Sequence, residues 1–220
     1  LPRLPGASRE ARAVARFGKP AQVRLGADAS EAFLKTAALE EYGVIHLATH
    51  ALVDQTSAAG TRIILAPGEG EDGLLSAGDI ARMNIGAGLV VLSACRSAAG
   101  QVVRGEGVQG LTAPFLQAGA RSVLATQWAI DDRSGHRLIR DFYQGLAEGS
   151  TVGEALRGAK LAALDRGDPP AVWAAFTAVG DASVRVQAVT PQSWLSLGAV
   201  LLVLMVAGSM GAWVLWKRRA

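Results

Sequence analysis

Two apolar runs, Val44-Ile45-His46-Leu47-Ala48-Thr49-His50 and Leu89-Val90-Val91-Leu92-Ser93-Ala94-Cys95, decide the fold. Each reads as a buried strand, and each carries a reactive residue at its carboxyl end. Cys95 is the single cysteine of the chain. In an open parallel sheet the carboxyl edge is where ligands bind. If the two strands are neighbours, a histidine and a thiol meet over one crevice, the minimum equipment for a cysteine nucleophile and its base. Taken alone, a cysteine at a strand end is more often an inert buried thiol than a nucleophile. The matched strand end bearing His50 is what shifts the balance.

Outward from these runs, strands alternate with helices. Gln22 to Leu25 reads as a strand. Asp28 and Ser30 open a helix through Tyr42, with Phe33, Leu34, Ala37 and Ala38 on one face. Arg62 to Ala66 is a further β-like run, and Pro67 to Gly73 is a turn-rich loop. Helices are expected over Ser8 to Phe17, Ser76 to Met83, Val108 to Ala118, Ser134 to Ala147 and Thr151 to Leu164. Ser8 caps the first of these and Glu10 sits in its first turn. Ser122 to Thr126 and Trp173 to Val179 read as the last strands. The pattern predicts an α/β fold, a three-layer sandwich with a mainly parallel sheet.

The chain has 220 residues, half of them hydrophobic, enough for a sizeable core. Its formal charge is +3, but Lys217, Arg218 and Arg219 account for that excess. The remainder is balanced and gives no support for a nucleic-acid partner. A single cysteine excludes an internal disulfide framework. The chain starts at Leu1, and no apolar stretch like a signal peptide lies between Leu1 and Phe17. It is expected to be a fragment whose true N-terminus lies elsewhere.

Leu195 to Leu215 carries no charge and is long enough, as a helix, to cross about 30 Å of hydrocarbon. Trp194 and Trp216 flank it, and Lys217 to Arg219 follow. The expected organisation is a domain over 1–184, a linker over 185–193, a transmembrane helix over 194–216 and a basic tail over 217–220. The chain is thus expected to be a single-pass membrane protein held in the lipid bilayer. The positive-inside rule favours a domain facing away from the cytoplasm.

Other residues have plainer readings. His46 lies on the same side of its strand as His50 but deeper, and reads as a core histidine with a hydrogen-bonded ring. His136 falls in an amphipathic helix and reads as a surface residue. His46 and His50 have H-x-x-x-H spacing, but in a strand and without the glutamate of a zincin helix. Gly105-Glu106-Gly107-Val108-Gln109-Gly110 satisfies G-x-G-x-x-G, but the preceding strand ends too early and Glu106 would repel a phosphate. No metal and no organic cofactor is called for. Asp131 and Asp132 have two readings: a rim carboxylate selecting a basic substrate residue, or a solvated turn capping the next helix.

Four ordered runs then carry a resemblance: His46-Leu47-Ala48-Thr49-His50-Ala51, Leu92-Ser93-Ala94-Cys95, Gly105-Glu106-Gly107-Val108-Gln109-Gly110-Leu111 and Ala118-Gly119-Ala120-Arg121-Ser122-Val123-Leu124-Ala125. With Trp128-Ala129-Ile130-Asp131-Asp132, Phe142-Tyr143 and Trp173-Ala174-Ala175-Phe176, they resemble the CHAT family of caspase-like peptidases from Leu4 to Asp181. The resemblance implies a caspase-hemoglobinase fold, endopeptidase activity on protein or peptide substrates, and a dyad of His50 and Cys95. It also implies tetratricopeptide repeats as frequent companions. Neither these repeats nor the first core strand usual before Leu4 is present, which fits an N-terminal truncation. Ala51 stands where many caspase-like enzymes have glycine, and its backbone N–H still suits an oxyanion hole. Arg96 follows the nucleophile where many relatives carry an acidic or amide residue; it either lowers the thiol pKa or is a solvated loop charge. The functions in view are a membrane-anchored cysteine endopeptidase, a catalytically inactive scaffold or signalling module of the same family, and a doubly wound ligand-binding domain with an inert thiol.

Overall fold

The computed structural model describes residues 5–18, 20–52, 60–93, 111–128, 130, 132–186 and 200–205. In chain order the elements are α1 (Pro5–Val14), β1 (Ala21–Leu25), α2 (Glu31–Thr36), β2 (Tyr42–Leu47), β3 (Ala51–Leu52), β4 (Arg62–Ile64) and β5 (Leu74–Ser76). There follow α3 (Ala77–Arg82), β6 (Leu89–Leu92), α4 (Thr112–Gln117), β7 (Ser122–Thr126), α5 (Asp132–Ala147), α6 (Val152–Asp165), α7 (Pro170–Trp173), β8 (Phe176–Gly180) and β9 (Val200–Met205). A six-stranded sheet runs in the order β1-β9-β2-β6-β7-β8. All its neighbours are parallel except β8, which lies antiparallel to β7. A small antiparallel sheet of β3, β4 and β5 stands beside it.

The two opening runs are adjacent strands, with Val44 opposite Leu89 and Leu47 opposite Leu92. Both faces of the sheet are covered, so these strands read as near-continuous apolar runs. Alternation sends Ile45, Leu47, Val90 and Leu92 to one face, where they pack with Leu34, Ile80 and Phe115 of α2, α3 and α4. Val44, Leu89, Val91 and Leu124 go to the other face and pack with Ala11, Leu138, Phe142 and Leu156 of α1, α5 and α6. The α5 stripe of Leu138, Ile139, Phe142, Tyr143 and Leu146 has helical spacing and is buried throughout. A capping box of Thr151 and Glu154 starts α6. At the α5–α6 crossing, a Cβ on Gly145 would come within 3.1 Å of the Ala155 Cα, so a larger residue would push the helices apart by a few tenths of an ångström. This mixed α/β architecture fits the caspase-like fold.

The C-terminal transmembrane helix is overturned. Val200–Met205 is a strand, pairing in parallel with β1 on one side and with β2 on the other. Among the described residues, no helix is long and apolar enough to cross a membrane. The expected single-pass placement, with its preference for a domain outside the cytoplasm, loses its support with the helix. The reason is physical: an uncharged apolar run satisfies the length rule for a membrane span and also the composition of a central strand covered on both sides. Periodicity does not separate the two, and here backbone pairing in the sheet decides. The rest of the expected 194–216 span lies outside the described residues.

Candidate active site

The carboxyl ends of β2 and β6 leave the sheet side by side. The Ser93 N–H donates to the Leu47 carbonyl at 2.9 Å, tying the two exits together. His50 stands three residues beyond Leu47, and Cys95 three residues beyond its register partner Leu92. Cys95 itself lies outside the described residues, as do Arg96 and Gly105 to Gly110.

His50 is buried, with 6% of its surface exposed. Its segment is fixed by β4: the Ile64 N–H donates to the His50 carbonyl at 2.9 Å, and the Thr49 hydroxyl donates to the Ile64 carbonyl. The small sheet therefore positions the histidine, although Leu74–Ser76 is too short to show strand periodicity in the sequence. Ala51 is buried opposite Ile63. Because the Ile64–His50 bond brackets that pair, Ala51 and Ile63 form a non-hydrogen-bonded pair of the ladder. The ladder with β4 thus leaves the Ala51 N–H unused. Asp132 is the first residue of α5. Asp131 lies outside the described residues, so the two readings of this pair stand as the sequence leaves them.

Below the exits lies a buried polar cluster. His46 is fully buried, as a core histidine should be, and both ring nitrogens are engaged. Its Nε2 is 2.8 Å from Glu10 Oε1 and its Nδ1 is 2.9 Å from the Tyr143 hydroxyl. His136 Nε2 lies 3.2 Å from Glu10 Oε2 and donates to the Gly6 carbonyl at 2.8 Å. His136 is therefore a half-buried tether between α5 and α1, not the surface residue its helix suggested. Burial pushes the Glu10 carboxyl up, but hydrogen bonds from His46 and Ser93 and the attraction of His46 and His136 hold it below the usual carboxylate range. Burial first, and then the Glu10 charge, push the Tyr143 phenol well above its ordinary value.

These directions assign the protons. A carboxylate only accepts, so His46 Nε2 carries a hydrogen and donates to Glu10. Tyr143 keeps its proton, and its hydroxyl is bonded to Nδ1 on the other side of the ring. In the sequence, Glu10 reads only as a first-turn acid. The available signal was spacing: Ala7, Glu10, Ala11 and Val14 share one helical face, and all four are buried.

Residues 1–181 match the CHAT domain, and the chain belongs to that family. The CHAT family is related to the caspase-like cysteine peptidases. Tetratricopeptide repeat protein 28 of Mus musculus is 32% identical over 111 residues, covering 49% of this chain and 4% of that protein. The Homo sapiens protein of the same name is 31% identical over 111 residues, with the same shares of 49% and 4%. This chain thus matches only a small part of these relatives' length, and both carry tetratricopeptide repeats in their names.

Proposed function

We propose that this domain is a cysteine endopeptidase in which Cys95 is the nucleophile and His50 its base. The reading is carried by the equal reach of the two residues beyond the paired Leu47 and Leu92 of adjacent parallel strands. Cys95 as its thiolate attacks a peptide carbonyl carbon, and the carbonyl electrons move to oxygen. The backbone N–H groups of Ala51 and Cys95 stabilise that oxyanion. Imidazolium at His50 then protonates the leaving amine, and the C–N bond breaks to leave a thioester. His50 next takes a proton from water, hydroxide attacks the thioester carbonyl, and the thiol is released. Tetratricopeptide repeats joined to this domain would present the protein substrate; that extension rests on the names of the relatives.

Cys95→Ala and His50→Ala should each lower kcat/KM on a cleaved peptide by roughly a thousandfold or more, with the fold retained by circular dichroism. Residues acting as one unit do not add, so the double variant should be no worse than either single one. Retained cleavage in clean Cys95→Ala protein would sink the reading. A folded wild type that cleaves nothing and whose thiol behaves as an ordinary one would favour the inactive scaffold.

A further inference from the structure

The buried cluster beneath the strand exits takes no part in the attack and protonation steps. We propose that Glu10 is a positioning residue for the His50–Cys95 pair, its carboxylate fastening the ends of β2 and β6 to each other and to α1 and α5. The proposal rests on the cysteine-peptidase reading.

The connections run from one side chain. Glu10 Oε1 accepts from His46, four residues before His50 on the same strand. The Ser93 side chain, two residues before Cys95, also holds that carboxyl down, and the Ser93 N–H bonds the Leu47 carbonyl, next to His46, at 2.9 Å. Oε2 faces His136, and Tyr143 holds the far side of the His46 ring, so both contacts from α5 converge on the Glu10–His46 pair. The titratable groups around the carboxylate are therefore His46 from β2 and His136 and Tyr143 from α5. Sliding one strand exit against the other would strain bonds to a group with almost no access to water; Glu10 is 5% exposed. Stability alone does not explain such a group, because apolar side chains of similar volume fill a core without the desolvation cost of a charge. What an apolar core lacks is directionality. A misplacement of about 1 Å between reacting groups costs up to about a hundredfold in rate, and directional bonds at the base of both arms resist it.

The substitution Glu10→Gln tests this with little change of shape. An amide offers one accepting oxygen and cannot serve His46, Ser93 and His136 as a carboxylate does. Alkylation of Cys95 by iodoacetamide, followed against pH, reads the imidazole–thiol pairing independently of any substrate. Peptide cleavage by the same full chains gives kcat and KM. In Glu10→Gln the midpoint of alkylation should rise toward the free-thiol value of about 8.5. Its kcat should fall about 10- to 100-fold with KM unchanged. Ser93→Ala should shift both in the same direction by less, and Ser93→Thr, which keeps the hydroxyl, should restore them. A merely structural role would lower the melting temperature without moving the midpoint. Folded Glu10→Gln and Ser93→Ala proteins with the wild-type midpoint and kcat overturn the proposal. If Glu10→Gln does not fold, the Ser93 pair alone decides. A wild-type Cys95 that already titrates as a free thiol, in a chain that cleaves nothing, overturns the peptidase reading itself and the proposal with it. That result is recognisable because it precedes any substitution.

Discussion

Among the described residues, each face of the main sheet buries one glutamate, and the two are held in different ways. Glu31, at the start of α2, is 2% exposed. Lys35, one turn on, lies 2.8 Å from its Oε1 and also reaches Glu71 at 2.7 Å. The other oxygen accepts the Gly73 N–H at 2.8 Å, holding the turn that ends there. Gly73 has φ 83°, and a Cβ on it would stand 2.6 Å from the Leu65 carbonyl oxygen, so the anchored turn requires glycine. Here a partly hydrated cation compensates the acid, and the result is a local brace. Glu10, on the opposite face, has no lysine or arginine among its described partners; its contacts are His46, His136 and Ser93. Those partners come from three other parts of the chain and meet beneath the candidate site. One glutamate secures a loop to a helix, while the other ties together the strands that present the chemistry.

The comparison predicts unequal losses. Glu10→Leu strips the acceptor from several buried donors at once and should cost about 3–5 kcal/mol, the range for breaking a buried charged cluster. Glu31→Leu leaves Lys35 its second carboxylate and solvent, so the main loss is one buried backbone donor, about 1–3 kcal/mol. Urea unfolding of the two variants checks the order, and equal losses would break the contrast. The pH dependence should differ too. A carboxyl held below its unfolded value of 4.5 contributes stability above that pH, and the contribution is lost as pH falls through the folded value. Acid should therefore loosen the α1–α5 face first, and Glu10→Gln should flatten that part of the stability profile. Lys35 is shifted the other way: hydrogen bonds to Glu31 and then Glu71 raise it above 10.5. Its contribution is full below 10.5 and fades only as strong alkali reaches the folded value. Hydrogen exchange followed at about pH 3 to 5 would distinguish the two faces, and simultaneous opening of both would contradict the assignment.

The main sheet is legible in the sequence where apolar runs are bounded by polar or flexible residues. Val44 to Ala48 and Leu89 to Ser93 differ from β2 and β6 by only a residue or two, and the two strands are neighbours, the condition on which the site reading depends. The role of His46 is also legible, because parity groups it with Val44 and Ala48 on the inward face. Three things are not. The helix expected from Asp28 to Tyr42 ends at Thr36, since Tyr42 must already be extended to enter β2; tertiary pairing overrides helical spacing. The C-terminal apolar run gives the same signal for a membrane span as for a strand held between two others. Glu10 escapes a local reading because its partners are far away in sequence: His46 is 36 residues distant. No local rule joins an acid in a first helix to a histidine in the second strand and a serine beyond the sixth. The proposed pairing of His50 with Cys95, by contrast, has a local signal in two matched strand ends.

The smallest expected effect tests how directional the Glu10 cluster is. Tyr143→Phe keeps the ring between Phe17, stacked at 6.0 Å, and Phe142, edge-on at 5.6 Å, so apolar burial hardly changes. It removes only the hydroxyl that is bonded to His46 Nδ1 at 2.9 Å. That nitrogen is buried and would lose its hydrogen-bond partner, at a cost of about 1–2 kcal/mol. On the other face, Thr36→Val removes a hydroxyl that bonds the Ala32 carbonyl within its own helix, at an exposed site. That loss should be within about 0.5 kcal/mol, because water replaces the bond and surface changes are usually this small. Measured side by side by chemical unfolding, Tyr143→Phe should be clearly the more costly. If it is neutral, the His46 ring is not held by two directed bonds, and the Glu10 cluster is no better oriented than the brace around Glu31.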